Sequence, residues 1–124
     1  MENAIRVLVA SGPRLLRELI LTTLCDQGDM EIVGEVLDEA DVLETVETTN
    51  LDFVILAQDT LAERPNICDT VLRARPDIWI ITVAPRNNYL VHYWASPEIQ
   101  SRHVESSEET LLGILRTKPT RGVA

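Results

Sequence analysis

Cysteine is scarce in this chain of 124 residues, and so are aromatic side chains. The two cysteines, Cys25 and Cys68, lie far apart and have no other Cys or His nearby at the spacing of zinc ligands. The sequence therefore predicts neither a disulfide framework nor a metal site, and it indicates no cofactor. Both thiols are expected to be small packing residues.

Lysine is nearly absent, because Lys118 is the only one, and the formal net charge is −9. Contacts with nucleic-acid phosphates need clustered Lys and Arg, so we expect no direct binding of nucleic acid. No Lys or Arg lies between Glu18 and Glu63, which makes this part of the chain strongly acidic. Such a segment is typical of a solvated helix face, although it could also dock a basic protein partner.

Long apolar runs are missing as well. No stretch approaches the roughly 20 apolar residues that cross a bilayer, and the first residues lack the pattern of a secretory signal. We therefore expect a soluble, cytoplasmic protein without a membrane partner. The length is typical of one domain, so we expect a single domain over residues 1–124 with a frayed tail at 118–124.

Short apolar runs alternate with amphipathic segments along the chain. The predicted strands are Ile5 to Ala10, Glu31 to Val36, Phe53 to Ala57, Ile78 to Val83 and, more weakly, Ile99 to Val104. The predicted helices are Pro13 to Cys25, Asp38 to Glu47, Asn66 to Ala74, Asn88 to Ala95 and Ser107 to Thr117. Strands that are apolar throughout are buried on both faces, as in parallel sheets covered by helices. The pattern predicts a doubly wound α/β fold with a five-stranded parallel sheet.

The residues that carry a family resemblance are spread over most of the chain, from Ile5 to about Lys118. They are Arg6-Val7-Leu8-Val9, Pro13, Leu15, Arg17-Glu18, Glu31 to Val36, Asp52 to Leu56, Pro76-Asp77, Ile80-Ile81-Thr82 and Glu108 to Leu112. Together they resemble a two-component response-regulator receiver domain, of the subgroup usually fused to a helix-turn-helix output domain. The resemblance implies a flavodoxin-like (βα)5 sandwich and a part in signal transduction, in a two-component system or phosphorelay.

The resemblance also implies where a phosphorylation site would lie. In receiver domains, acids after the first strand and an aspartate after the third hold Mg²⁺, and that aspartate is phosphorylated; here these positions are Ala10, Ser11 and Ala57. The family's lysine on the fifth strand falls on or near Val104, and only the switch hydroxyl has a match, in Thr82. An alanine methyl can neither accept a phosphoryl group nor bind Mg²⁺. We therefore predict a degenerate pseudo-receiver that is not an enzyme.

Other residues could replace the missing acceptor only with partners that the sequence does not supply. Asp59 lies two residues beyond Ala57 and lacks an acidic pair to recruit Mg²⁺. A nucleophilic histidine needs an orienting group, and the sequence identifies none for His92 or His103.

Three of the five aromatic residues lie in the segment Tyr89-Leu90-Val91-His92-Tyr93-Trp94. As a short helix it would turn Leu90, Val91 and Trp94 inward and leave the tyrosines and His92 partly outside, which suits protein contact. In receiver domains this region also forms the usual output and dimer face, although the rings could instead only cover a thin edge of the core. We predict a face for a protein partner, most simply a homodimer. It comprises Tyr89, His92, Tyr93, Trp94, Ile99, Arg102 and Arg116.

An alternative interpretation assigns the chain a small ligand. Ligands of open α/β sheets bind beyond the carboxyl ends of the strands, where Ser11 and Arg14 flank a helix N-terminus that could hold an anion. The chain would then be a small-anion or nucleotide sensor. Pro13 removes one donor, however, and no glycine-rich phosphate loop is present. The preferred interpretation is a stand-alone pseudo-receiver that acts through protein contact without phosphorylation.

Overall fold

The computed structural model describes residues 4–10, 14–36, 38–58, 64–84, 89–95, 98–105 and 107–117, and within them six strands and four helices. The strands are β1 (Ile5–Ala10), β2 (Met30–Val36), β3 (Phe53–Ala57), β4 (Trp79–Val83), β5 (Tyr89–Ala95) and β6 (Ile99–Glu105). The helices are α1 (Arg14–Cys25), α2 (Glu39–Thr48), α3 (Asn66–Ala74) and α4 (Glu108–Thr117). None of these helices is long and apolar enough to cross a membrane.

The strands form one mixed sheet in the order β2-β1-β3-β4-β5-β6. The strands β1 to β4 pair in parallel, whereas β5 is antiparallel to β4 and β6 is antiparallel to β5. The order of the first four strands is that of flavodoxin-like folds. The predicted α/β architecture is therefore confirmed, but the prediction of five parallel strands is wrong, because the sheet has six strands and ends in an antiparallel hairpin.

The segment expected to form a helix between Asn88 and Ala95 is the strand β5. Tyr, Val and Trp favour strands, and seven residues are too few for a helix that stands without strong tertiary support. As a strand, the segment places Leu90 and Val91 on opposite faces of the sheet, and both are buried. The strand thus buries two apolar faces where a helix would bury one stripe. Residue 88 lies outside the described residues.

Two apolar clusters lie on opposite faces of the sheet, because successive side chains of a strand point to opposite sides. On the face covered by α2 and α3, Leu8 packs with side chains such as Leu72. On the face covered by α1 and α4, Val9 packs with Leu24 and Leu115. We call these the α2/α3 face and the α1/α4 face.

The starts of α2 and α4 are made differently. Ser107 precedes α4, and its Oγ accepts a hydrogen bond from the backbone N–H of Thr110 at 3.0 Å, which satisfies one of the unpaired donors of the helix. Asp38 occupies the N-cap position of α2, as predicted, but its side chain makes no capping hydrogen bond. Its carbonyl oxygen accepts from the N–H of Val42 at 3.1 Å.

Candidate functional site

The crevice where the resemblance places a phosphorylation site lies at the carboxyl ends of β1, β3 and β4. Ala10 pairs with Leu56, and Ala57 pairs with Val83, so the two alanines end neighbouring strands. Both are completely buried. Ala10 belongs to the cluster of the α2/α3 face and Ala57 to that of the α1/α4 face. The two methyl groups therefore pack into apolar surroundings on opposite sides of the sheet and do not converge on one point.

Thr82, the match to the switch hydroxyl, is 1% exposed. Its Oγ1 donates a hydrogen bond to the carbonyl oxygen of Val91, its cross-strand neighbour, at 3.4 Å. Tyr93 lies beside it, and burial raises the pKa of the Tyr93 phenol. The hydroxyl of Thr82 thus supports the pairing of β4 with β5 within the core.

Val104, the position of the family's lysine, lies on β6 and packs half-buried against the cluster of the α1/α4 face. Because β4 and β5 separate β6 from β3, and strands lie about 4.8 Å apart, Val104 is roughly 14 Å from the strand of Ala57. The structure does not bring Val104 together with Ala10, Ala57 and Thr82.

The predicted anion contacts are described only in part. Ser11 lies outside the described residues, as does Asp59, the residue considered as a replacement for the missing acceptor. Arg14 begins α1, where its side chain is 81% exposed and its Nε lies 3.0 Å from a carboxylate oxygen of Glu18. A solvent-facing guanidinium that already has an anionic neighbour adds little to an anion site.

The described residues contain no group of three or more His, Cys, Asp or Glu side chains that could hold a metal ion. Burial raises the pKa of the Cys68 thiol to about 12, so its reactive thiolate form is negligible at neutral pH and the residue packs in the core. Cys25 is exposed, which corrects the expectation that both cysteines are packing residues.

The residues of the predicted interaction face are divided among three places. Tyr89, Tyr93 and Ile99 belong to the cluster of the α2/α3 face or pack against it. The opposite side of the hairpin carries His92, Trp94 and Arg102, which line a groove beside α4. Arg116 is on α4. Tyr93 is 6% exposed and His92 is 7% exposed, so neither stands partly outside as the predicted helix required.

Arg116 joins α4 to the segment before β2. Its Nε and one terminal nitrogen lie 2.9 and 3.1 Å from the two carboxylate oxygens of Asp29, and the same terminal nitrogen donates to Gln27 at 2.6 Å. The hydrogen bond from Arg116 lowers the pKa of Asp29. These contacts connect α4 to the segment before β2, which is the strand at the opposite edge of the sheet from β6. Arg116 therefore does not share a surface with the hairpin residues of the predicted face.

The groove beside α4 is a site that the sequence reasoning did not find. Trp79, His92 and Trp94 form a row along one wall, with ring centroids 4.5 Å and 4.9 Å apart. Burial, and secondly the charge of Arg102, lowers the pKa of His92 to about 4, so its imidazole is neutral at pH 7. His92 and Trp94 are two residues apart, so they share a face only if the segment is a strand. This spacing was the signal in the sequence that could have indicated the groove.

Comparison with solved structures finds the signal receiver domain of NarL from Mycobacterium tuberculosis, with a TM-score of 0.58 and 21% sequence identity over 68% of this chain and 69% of that chain. No protein-family model matches the chain, and no curated protein does. At this level of identity the likeness concerns the fold alone. The chain has the fold of a receiver domain.

Proposed function

We propose that this chain is a phosphorylation-independent pseudo-receiver that acts in signal transduction by binding a protein partner, not by catalysis. The observation that carries the proposal is the complete burial of Ala10 and Ala57 where a phosphoryl-transfer site would present oxygen ligands. Phosphoryl transfer relies on a positioned nucleophile and on cations that neutralise the developing charge. Two methyl groups in separate apolar clusters provide neither.

The position of Val104 gives the proposal further support. In this topology the hairpin of β5 and β6 inserts a strand between β4 and β6, so a lysine on β6 would not reach a group at the end of β3. Loss of the phosphorylation site therefore involves the layout of the sheet as well as the side chains at its ends. Restoring single residues is not expected to restore activity.

For the contact surface, we propose the outer edge of β6, through which two copies form a homodimer. Among the strands that the structure describes, the sheet order ends at β6, so no described strand occupies the outer side of its backbone, which can pair with another strand. Its residues from Gln100 to His103 are exposed. The strand carries one arginine, Arg102, and one carboxylate, Glu105. Two copies of this edge therefore repel each other less than two copies of the acidic helix α2 would.

Beryllofluoride with Mg²⁺ tests phosphorylation independence, because it mimics an aspartyl phosphate only where an acidic pocket can hold it. We expect the amide spectrum of the ¹⁵N-labelled chain to be the same with and without the pair of reagents. A Mg²⁺-dependent set of shifts around Ala10, Ala57 and Thr82 would contradict the proposal. Receiver domains that bear the complete acidic site serve as the positive control.

Sedimentation equilibrium tests the contact surface separately. Ser101→Asp places a carboxylate on the exposed edge strand, and a twofold dimer would bring two of them together. We expect this variant to dimerise at least about tenfold more weakly than wild type, a change that like charges across an interface readily produce. Asn50→Asp makes the same change of charge at an exposed residue away from β6 and should dimerise as wild type does. A monomeric wild-type chain, or equal effects of both variants, would refute the edge contact.

A further inference from the structure

A groove runs between α4 and the α1/α4 face of the hairpin. Its volume is about 490 Å³, which is in the range of small-molecule sites in proteins. Strands β4, β5 and β6 supply one wall and α4 the other. The groove is lined by Trp79, His92, Trp94, Arg102, Val104, Thr110, Gly113 and Ile114.

The strand wall of the groove carries three aromatic rings in a row, of which the two indoles are half-buried and the imidazole between them is buried. The His92 ring stands between the two indoles, tilted by 50° to Trp79 and by 41° to Trp94. Beside this row, the rings of Phe53 and Trp79, which are paired on neighbouring strands, meet in a T-shaped contact with centroids 5.8 Å apart. Such a wall offers π-faces on which a flat aromatic ring gains stacking energy in addition to burial. Both tryptophans of the chain are in it.

Two polar side chains, those of His92 and Arg102, lie next to each other on this wall. His92 is more than nine-tenths buried, and its Nε2 has no hydrogen-bond partner among the described residues. Arg102 is its direct cross-strand neighbour, is exposed, and forms no ion pair within the part of the chain that the structure describes. Directly opposed residues have Cβ atoms about 5 Å apart, so a group bound to the exposed Arg102 lies close to the buried ring of His92. A guanidinium without an ion pair beside apolar and aromatic surface favours an anionic hydrogen-bonding partner.

The wall of the groove that α4 forms leaves open space. Gly113 lines the groove, and a Cβ added there would meet no described residue beyond its own stretch of α4 within 4 Å. Val104 and Ile114 add apolar surface beside it. A larger residue at position 113 would therefore occupy the groove without displacing the core.

We propose that this groove binds a small planar aromatic carboxylate, with its ring against the Trp79–His92–Trp94 wall and its carboxylate paired with the guanidinium of Arg102. The site lies away from the phosphorylation crevice; it shares β6 with the proposed dimer contact, but it uses side chains on the α1/α4 face of that strand and not its backbone edge. It goes beyond the proposed function, because it supplies a chemical input that needs neither phosphorylation nor dimerisation.

Isothermal titration calorimetry of the full chain with 2-naphthoate tests the site, and uncharged 2-naphthamide serves as the matched ligand. We expect saturable one-to-one binding of 2-naphthoate, at least about tenfold tighter than that of 2-naphthamide, since a charge-assisted hydrogen bond is worth that factor. Arg102→Gln should remove the difference between the two ligands. Gly113→Phe should abolish binding of both, whereas Gly113→Ala should retain it.

Four results would overturn the proposal. The first is the absence of saturable heat with 2-naphthoate for wild type. The second is equal binding to wild type and Gly113→Phe, which would place the ligand elsewhere. The third is an unchanged affinity in Arg102→Gln, which would reduce the contact to unspecific apolar binding. If Gly113→Phe instead alters sedimentation while no ligand binds, the groove is a protein contact and the proposal fails. Circular dichroism of each variant confirms that it is folded before titration.

Discussion

Ala57→Asp restores the type of residue that receiver domains phosphorylate, and the structure predicts that it destabilises the chain without creating a site. Ala57 is completely buried and belongs to the apolar cluster that contains Val9, Ile55 and Val83. A carboxyl group there loses its hydration, and the cluster offers it no cation. Burial of this kind raises a carboxyl pKa by about three units or more.

The stability that Ala57→Asp loses depends on pH because the pKa of its buried carboxyl group is raised. The unfolded carboxyl ionises near pH 3.9, whereas the folded one stays protonated to about pH 7, so the unfolded state loses its proton first as the pH rises. Folding stability therefore falls with rising pH between these two values. Relative to the neutral isostere Ala57→Asn, we expect an excess loss of about 1.5 kcal/mol at pH 5 that grows to about 4 kcal/mol at pH 7. The second figure is a large part of the 5–15 kcal/mol by which domains are usually stable.

Urea unfolding followed by circular dichroism at pH 5 and pH 7, with and without Mg²⁺, measures this difference. Ala57→Asn is the control, because it adds nearly the same volume and no charge. Mg²⁺ should stabilise neither variant. If Ala57→Asp is as stable as Ala57→Asn at pH 7, and Mg²⁺ raises its stability, then position 57 faces a solvated acidic crevice and the reasoning is refuted.

Three further predictions concern the hairpin and α4. The pKa of His92 is lowered to about 4, so the unfolded state takes up a proton first as the pH falls below 6.5. The free energy of unfolding of wild type should therefore fall by at most about 3 kcal/mol between pH 6.5 and 4, and by less where water in the groove screens the charge. His92→Phe should lack this part of the acid-dependent loss in urea unfolding, whereas His103→Phe, on the neighbouring strand, should retain it. Ser107→Ala removes the cap of α4 and should cost about 1 kcal/mol, while Ser101→Ala, on exposed β6, should change stability by less than about 0.5 kcal/mol; equal losses would refute the capping role. Gly113→Ala should raise the midpoint of thermal unfolding, because alanine favours a helix by up to about 1 kcal/mol over glycine and its Cβ meets no described residue beyond its own stretch of α4 within 4 Å; a lower midpoint would contradict the open helix wall.

The parallel part of the sheet could be predicted because β1, β3 and β4 are almost entirely apolar. Phe53 to Ala57 is apolar at every position, and this pattern requires burial on both faces whatever the partners are. The bounds of β1, β3 and α3 agree with the prediction, and those of β2 and β4 agree within one residue. Local chemistry alone was sufficient for these elements.

The hairpin could not be predicted by the same reasoning. In the segment from Tyr89 to Ala95, apolar and aromatic residues occupy nearly every position, so neither the helical nor the strand period stands out. The choice depends on β4, which offers an edge to pair with, and on β6, which covers the other edge. Pairing of this kind is a property of the folded sheet, not of the seven residues.

The groove depends on the same tertiary choice. Trp79 and His92 are 13 residues apart in sequence and become neighbours only because β4 and β5 are antiparallel. Arg102 comes opposite His92 through the turn of the hairpin. No single segment of the sequence therefore contains the residues of the site together. The incorrect prediction of a helix also hid the strand-like spacing of His92 and Trp94.

The most direct test of the central claim is covalent labelling of the wild-type chain. The chain is incubated with ³²P-labelled acetyl phosphate and Mg²⁺, and acyl phosphate is measured as base-labile radioactivity, with peptide mapping of any label. We predict that no labelled aspartate is formed. Stoichiometric, Mg²⁺-dependent label on any aspartate, including Asp59, would contradict the claim that this receiver fold works without phosphorylation.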